Sequence, residues 1–183
     1  MSTAAATATR TTWKIDPAHS HVEFAVRHLM ITTVRGRFGD VQGTVLTDAA
    51  DPTKAEVDVT IAANSIDTRE AQRDAHLRSA DFFDAEKFPA LTFKSTRVTD
   101  VQGDRFKLAG DLTMRGVTKE VILDVTAEGR GKDPWGGERA GYSATTKVSR
   151  SDFGLTWNQV LETGGFAVGD EIKISLDLEL VKQ

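Results

Sequence analysis

The chain of 183 residues contains no cysteine. Disulfide bridges, thiolate metal sites and cysteine nucleophiles are therefore excluded. Long hydrophobic runs are also missing, because no stretch approaches the roughly 18 apolar residues that cross a bilayer. The amino-terminal stretch lacks the apolar core of a secretory signal. These absences predict a protein with no membrane span and a cytoplasmic location.

Neither sign of charge dominates the sequence. Lysine and arginine together number 23 and aspartate and glutamate 27, which gives a formal net charge of −4. The charges are scattered along the chain instead of forming blocks. A balanced, scattered charge exerts no general attraction on nucleic acid or on anionic lipid. We therefore predict no nucleic-acid partner.

Two regions of very unequal length make up the predicted organisation. Residues 1–11, rich in alanine and threonine, show no periodicity and are predicted to be a flexible leader. Residues 12–183 are predicted to form a single domain, since single cores commonly reach this length. Apolar and polar residues alternate along most of this domain, as in Val22, Phe24 and Val26. A period of two predicts about eight β-strands.

Strands with one apolar face must bury that face and protect their edges, which a closed barrel does within one sheet. A two-sheet sandwich buries the same faces, so periodicity leaves both architectures open. One segment departs from the alternation: Asp67 and Glu70 form a capping-box pattern, and helix formers follow as far as Leu77. We predict a short helix there, further turns to Phe88 and a strand after Pro89. This insert is expected to cover one end of the barrel or sandwich.

Five stretches, taken in order, give the sequence a family likeness. They read WKIDPAHSHVEFAVRHLMITTVRGRF, SIDTREAQRDAHLRSADFFDAEKFPALTF, GDLTMRGVTKEV, RSDFGLTW and GDEIKISLDLEL. Together they cover nearly everything between residues 13 and 181, and their combination is more specific than any one of them. The chain resembles the YceI-like family of lipocalin-like, polyisoprenoid-binding proteins.

The resemblance implies an all-β fold, namely an extended eight-stranded antiparallel lipocalin-like β-barrel with a short helical insert near one end. It also implies an apolar tunnel that binds, carries or sequesters a long-chain isoprenoid or similar amphiphilic lipid, without catalysis. No cofactor is expected, and the bound ligand would be a polyprenyl or quinone-type lipid. Family members also form dimers, so a homodimer is a further expectation.

The candidate ligand contacts combine strand parity with the aromatic residues of the insert. The predicted tunnel lining consists of Phe24, Val26, Phe38, Val59, Ile61, Phe82, Phe83, Phe93, Leu112, Met114, Leu123, Tyr142, Phe153 and Trp157. Basic side chains of the insert and of the early strands are the candidates for charge-assisted bonds to a polar head group. These are Arg35, Arg73, His76 and Arg78.

An enzyme is the second hypothesis. His19 and His21 are two residues apart, so on a strand both imidazoles lie on one face, as in a zinc-binding pair. A metal-dependent hydrolase or a lipid isomerase would use them, although no HExxH or G-x-S-x-G signature supports either. The prediction therefore assigns no catalytic residue and no metal ligand. A third hypothesis is an interaction module whose barrel is filled by its own side chains.

Overall fold

The computed structural model describes residues 9–183, and most of these residues lie in β-strands. The strands are β1 (Arg10–Ile15), β2 (His21–His28), β3 (Thr32–Phe38), β4 (Val41–Asp48), β5 (Glu56–Ala62), β6 (Ile66–Asp67), β7 (Ala90–Gln102), β8 (Arg105–Met114), β9 (Val117–Lys132), β10 (Glu138–Ser149) and β11 (Val168–Lys182). Helix α1 (Ala71–Arg78) follows β6, and 3₁₀ turns cover Pro17–His19, Pro52–Lys54, Ala63–Ser65 and Arg150–Phe153. Within residues 9–183, no helix is long and apolar enough to cross a membrane.

The sheet closes on itself. Strands pair in the order β1-β4-β5-β7-β8-β9-β10-β11, and β11 pairs back onto β1. Trp13 in β1 lies opposite Val45 of β4 on one side and opposite Lys182 of β11 on the other. All of these pairings are antiparallel. The predicted eight-stranded antiparallel barrel is therefore confirmed, and the sandwich is excluded.

Three of the eight strand paths are broken in the middle. β1 and β2 are separated by the turn Pro17–His19, yet β1 pairs with the carboxyl end of β11 and β2 with its amino end. Gly39 and Asp40 separate β3 from β4, and the turn Ala63–Ser65 separates β5 from β6. β2, β3 and β6 therefore extend the barrel wall at the end where α1 lies.

The alternation read from the sequence sets which residues face the interior. β11 has 15 residues and extends roughly 50 Å at about 3.3 Å per residue, so the barrel is long. Its inward-facing row consists of Ile172, Ile174, Leu176, Leu178 and Leu180. The outward row between them carries charged or polar side chains, which remain in contact with solvent.

Helix α1 begins later than the capping-box pattern predicted. Glu70 is the N-cap, and its carboxylate accepts bonds from the backbone amides of Gln72 at 3.2 Å and Arg73 at 2.6 Å. The Asp67 carboxylate instead accepts from the amide of Arg69 at 2.8 Å. Because Arg69 has a left-handed φ of 63°, the chain turns before the helix can start. The assignment of Asp67 as the cap was wrong.

The amino-terminal boundary also differs from the prediction. Residues 1–8 of the predicted leader lie outside the described residues. β1 begins at Arg10, so the last residues assigned to the leader belong to the barrel wall, where Arg10 lies opposite Asp48.

Candidate functional site

The barrel encloses a cavity of about 260 Å³. Every strand of the closed ring contributes to its wall, and the wall is almost entirely apolar. One water requires only about 15 Å³ of such space, and large apolar cavities favour apolar guests over water. The geometry is therefore that of a binding chamber for a hydrophobic molecule.

The burial of the inward-facing side chains shows that this interior is not self-filled. Ile172, Ile174, Leu176 and Leu178 lie in a strand paired on both sides, yet each is only half-buried. In a packed core such residues would lose nearly all of their exposed surface. Here part of each side chain borders the cavity, so a filled-barrel interaction module is not what the chain forms.

One end of the cavity is closed by packing around Trp13. Trp13 and Leu180 are each 2 % exposed. The Trp13 Nε1 atom donates to Thr47 Oγ1 at 3.0 Å, and the Arg130 guanidinium lies 5.3 Å from the centre of its ring. The buried Trp13 ring closes the barrel at this end, beyond the cavity-lining residues Ile15 and Val45.

The opposite end is covered by α1 and the turns that follow it, residues 71–88, which we call the cap segment. Leu77, Phe82 and Phe83 of this segment line the cavity. The Phe83 ring lies edge-on to Phe38 with centroids 5.8 Å apart, and Phe38 lies 5.7 Å from Phe24. Aromatic contacts of this kind join the cap segment to the barrel wall.

Polar bonds fix the cap segment from outside. Arg78 donates to the carbonyl oxygens of Asn64 at 3.0 Å and Ile66 at 2.9 Å. Arg115 donates to the carbonyl oxygen of Phe82 at 2.5 Å. These bonds satisfy backbone groups that the irregular turns leave unpaired. The cap segment is thus held at both its helical and its turn portions.

The predicted lining residues fall largely together. All of them except Phe153 and Trp157 border the cavity. Phe153 is buried at 2 % exposure in the surrounding core, and Trp157 packs against His76 and Phe82 with centroids 4.7 and 5.4 Å apart. Both residues follow β10 outside any β-strand, Phe153 in the 3₁₀ turn Arg150–Phe153, so strand parity does not apply to them. These two residues do not border the cavity, and ligand contact by the predicted residues stays a prediction.

The four predicted head-group residues lie away from the cavity. Arg73 donates to Thr68 Oγ1 at 2.7 Å, and Arg78 donates to backbone carbonyls. His76 Nε2 lies 2.8 Å from Asp81 Oδ2 on the outer side of the cap segment. Arg35 lies on the outer face of β3. Arg73, His76 and Arg78 bond to neighbouring turns, and Arg35 is exposed.

Arg150 is a buried charged residue of the cavity wall that the sequence reading missed. It is 6 % exposed and borders the cavity at the cap-segment end, beside Leu155 and Val168. Burial lowers the pKa of its guanidinium from the ordinary value. A signal was present, because Arg150 continues the inward row of even-numbered residues in β10 that runs through Ala144 and Val148. A charged residue in an otherwise uncharged inward row is unusual.

The histidine pair of the enzyme hypothesis lies outside the barrel. Among residues 9–183, the one cluster with metal-ligand spacing consists of Asp16, His19 and Glu179, and it excludes His21. Arg139 already donates to Asp16 Oδ2 at 2.6 Å and to Glu179 Oε1 at 2.9 Å. Hydrogen bonds from His19 and Arg139 lower the pKa of Asp16 to about 2, and the bond to Asp16 raises the pKa of His19. The guanidinium occupies the position a metal ion would need.

Comparison with known proteins places this architecture in a defined group. A family model described as the YceI-like domain matches residues 13–180. The protein named Protein YceI from Salmonella newport (strain SL254) is 41% identical over 173 residues, which cover 93% of this chain and 87% of that protein.

Solved structures share the barrel. The YCEI protein of Campylobacter jejuni has a TM-score of 0.72 at 32% identity, covering 86% of this chain and 90% of that one. BcnA of Burkholderia cenocepacia has a TM-score of 0.79 at 24% identity, covering 90% and 98%. A polyisoprenoid binding domain from Saccharophagus degradans has a TM-score of 0.65 at 14% identity, covering 93% and 98%. The last two, given their low identity, bear on the fold alone.

Proposed function

Because this chain belongs to the YceI-like domain family and its barrel is hollow, we propose that it binds a long-chain isoprenoid or a similar amphiphilic lipid and carries or sequesters it. The observation that carries this proposal is the apolar cavity of about 260 Å³ inside a closed barrel. No chemical step is required of the protein, because transferring a hydrocarbon tail out of water is favourable by itself.

The energetics of tail burial are sufficient. Each buried CH₂ contributes about 0.8 kcal/mol, so a tail of about twenty carbons offers on the order of 16 kcal/mol before costs. Association costs roughly 4 to 15 kcal/mol, depending on how it is counted. A preformed wall keeps that cost low, because few side chains must be ordered on binding.

The cavity-lining residues from the sequence prediction are the proposed ligand contacts, with Leu112 and Leu123 on neighbouring strands as central examples. The structurally similar domain of Saccharophagus degradans is named for polyisoprenoid binding, which agrees with this class of ligand. A homodimer and a cytoplasmic location stay predictions.

A plug inside the cavity tests the proposal. Leu112 borders the cavity, so Leu112→Trp fills space that a tail would occupy. Ile122 faces outward and is 46 % exposed, so Ile122→Trp adds similar bulk outside the barrel. We expect Leu112→Trp to weaken binding of an environment-sensitive fluorescent fatty alcohol by about tenfold or more, with Tm little changed, and Ile122→Trp to bind like the wild type.

Two results would count against lipid binding. In a tightly packed interior, Leu112→Trp would destabilise the fold by roughly 1 to 3 kcal/mol, which thermal unfolding detects. Equal binding by wild type and both variants would place the probe outside the cavity. Native mass spectrometry of protein purified from its host adds a direct readout, because a carrier retains a lipid-sized mass.

A further inference from the structure

Five exposed apolar side chains lie together at the cap-segment end of the barrel. Leu29, Met30 and Ile31 form the turn between β2 and β3, and Val160 and Phe166 lie in the loop that precedes β11. Met30 is 63 % exposed, Ile31 72 % and Val160 78 %. Single exposed apolar residues are ordinary on a protein surface, whereas a contiguous group marks an interaction site. We call these five residues the apolar tip.

Contacts between the two loops make the apolar tip one surface. The Met30 sulfur packs so closely on Gly165 that a Cβ atom there would collide with it. Val160 and Phe166 lie directly opposite each other in an antiparallel bridge. Side chains of such a pair are neighbours on one face. The turn and the loop therefore present their apolar side chains together.

The requirements of the fold do not explain large apolar residues at this turn. Leu29 and Met30 have left-handed φ angles of 51° and 62°, which tight turns usually assign to glycine or asparagine. The Leu29 amide donates to the Ala167 carbonyl at 2.8 Å, and the Ile31 amide donates to the His28 carbonyl at 3.1 Å, so the conformation is held by backbone bonds. Backbone strain of this kind clusters at functional surfaces.

Positive charge borders the apolar tip, although the whole chain carries a formal charge of −4. Residues 24–39 contain three arginines and no carboxylate, and Glu162 is the one charged residue of 156–167. Arg27 and Arg35 are exposed, and neither forms an ion pair within the described part of the chain. An apolar surface bordered by unpaired cations is complementary to an anionic membrane surface.

The apolar tip adjoins the cap segment. Trp157, just before the loop of the tip, packs against His76 and Phe82 of the cap segment with ring centroids 4.7 and 5.4 Å apart. Asn158 fixes the base of the same loop, because its side chain bonds to the carbonyl and the amide of Val168 at 2.7 and 3.0 Å. A surface in contact with the tip would therefore lie beside the end of the barrel that the cap segment covers.

We propose that the apolar tip docks this protein on an anionic lipid bilayer, with the tip in the interface and the neighbouring arginines at the lipid phosphates. Two nearby carboxylates are already paired, Asp67 with Arg37 at 3.5 Å and Asp81 with His76 at 2.8 Å. The docking goes beyond ligand binding inside the barrel, because a protein can lie on a membrane with its cavity empty or full.

Sedimentation with sucrose-loaded vesicles tests the docking. We expect wild-type protein to bind phosphatidylcholine vesicles that contain about one third phosphatidylglycerol about tenfold more tightly than phosphatidylcholine alone. Salt at about 1 M should remove most of this difference, because it screens the arginines. Arg35→Gln should weaken binding to the anionic vesicles about threefold to fivefold and leave binding to phosphatidylcholine unchanged.

Apolar contacts are tested by the double variant Ile31→Ser and Phe166→Ser. Both side chains are exposed, so Tm should stay unchanged while binding to the anionic vesicles falls about tenfold or more. The control is Trp135→Ser, which removes a side chain that is 87 % exposed in the turn between β9 and β10. Trp135→Ser should bind vesicles like the wild type.

The plug variant Leu112→Trp separates docking from uptake of a lipid tail. It should bind vesicles like the wild type, and the double variant of the tip should still bind the soluble fluorescent fatty alcohol. Loss of vesicle binding in Leu112→Trp alone would overturn the docking, because the vesicle lipid would then be held in the cavity.

Two further results would overturn the docking and leave ligand binding intact. One is equal vesicle binding by wild type and the double variant of the tip. The other is a wild type that sediments with neither vesicle but forms a dimer that the double variant loses in analytical ultracentrifugation. The apolar tip would then join two copies of this chain.

Discussion

Asp16 joins the two halves of the first broken strand path through its side chain. Its Oδ1 accepts from the Ala18 amide at 3.0 Å, and its Oδ2 accepts from Arg139 at 2.6 Å and lies 3.0 Å from His19 Nδ1. Arg139 also donates to Asp133 at 3.0 Å, so one guanidinium connects separate turns near the Trp13 end of the barrel. These bonds favour the ionised carboxylate and hold its pKa near 2.

Acid should therefore weaken the fold through Asp16. Because the folded pKa of about 2 lies below the ordinary value of 3.8, the stabilisation is fully present above about pH 5 and is lost as pH falls toward 2. We expect Asp16→Asn to lower the unfolding free energy by about 1 kcal/mol at pH 6, a modest value because its partner His19 is largely exposed, and by almost nothing at pH 2. Urea unfolding across this range measures both values.

The control for this pH series is Asp177→Asn, an exposed position on the outer face of β11. Its stability should stay close to that of wild type at every pH. An Asp16→Asn deficit that is as large at pH 2 as at pH 6 would show that packing, and not the charge, explains the loss.

Strand parity predicted individual wall residues well where the chain is regular. Val59, Leu112 and Leu123 border the cavity because each lies on the inward row of a long, paired strand. Parity gave no guidance for Trp157, because the residues around it form no strand. Arg150 was missed because composition rules assign arginine to the surface, and only its bonds to four carbonyls explain why it can lie inside.

At the scale of elements, sequence reading found the strand paths and the insert but not the breaks within the paths. The buried residues of β1, Trp13 and Ile15, are odd-numbered, whereas those that β2 turns inward, such as Val22, are even-numbered. The turn Pro17–His19 therefore shifts the alternation, and the short β1 was not recognised as a separate strand.

The capping error at Asp67 has its own origin. A capping box and an Asx turn both start with an aspartate, and the left-handed φ of Arg69, which distinguishes them here, carries no clear sequence mark.

The cap segment depends on one buried carboxylate. Asp74 is 7 % exposed, and its Oδ1 accepts from the Thr68 amide at 2.9 Å and from Thr68 Oγ1 at 2.5 Å. We expect Asp74→Ala to leave both donors unpaired and to lower the unfolding free energy by about 1 to 3 kcal/mol. Because α1 would then be linked to Thr68 through the Arg73 bonds alone, a bound fluorescent lipid should also dissociate faster, as stopped-flow exchange would measure.

The matched control is Asp177→Ala on the outer barrel surface, which should change neither stability nor dissociation. A destabilised Asp74→Ala protein that releases the lipid at the wild-type rate would show that the cap segment does not limit release. Faster release from both variants would point to a general loosening of the barrel.

At the scale of the whole molecule, the chain combines a continuous sheet with two different closures. The Trp13 end is closed by side chains of the barrel strands themselves, whereas the opposite end is closed by an insert held through side-chain bonds to backbone carbonyls. Opening the Trp13 end would disturb the pairing of the barrel strands. Opening the cap-segment end would break only a few side-chain bonds. A ligand should therefore pass through the cap-segment end, with its tail tip stopping at Trp13.

Because the cavity is closed at one end, binding affinity should depend on the length of the lipid tail. For neutral n-alkanols of increasing length, we expect affinity to rise about fourfold per CH₂ and then level off once the tail reaches Trp13, since each buried CH₂ contributes about 0.8 kcal/mol. Val57 borders the cavity and pairs with Val45, which lies opposite Trp13, so Val57→Trp shortens the cavity at its closed end. Isothermal titration calorimetry should then show the plateau several carbons earlier, with the short alcohols bound as in wild type.

The outward-facing Ile122→Trp variant is the control and should keep the wild-type plateau. An unshifted plateau in Val57→Trp would mean that the tail does not extend to Trp13.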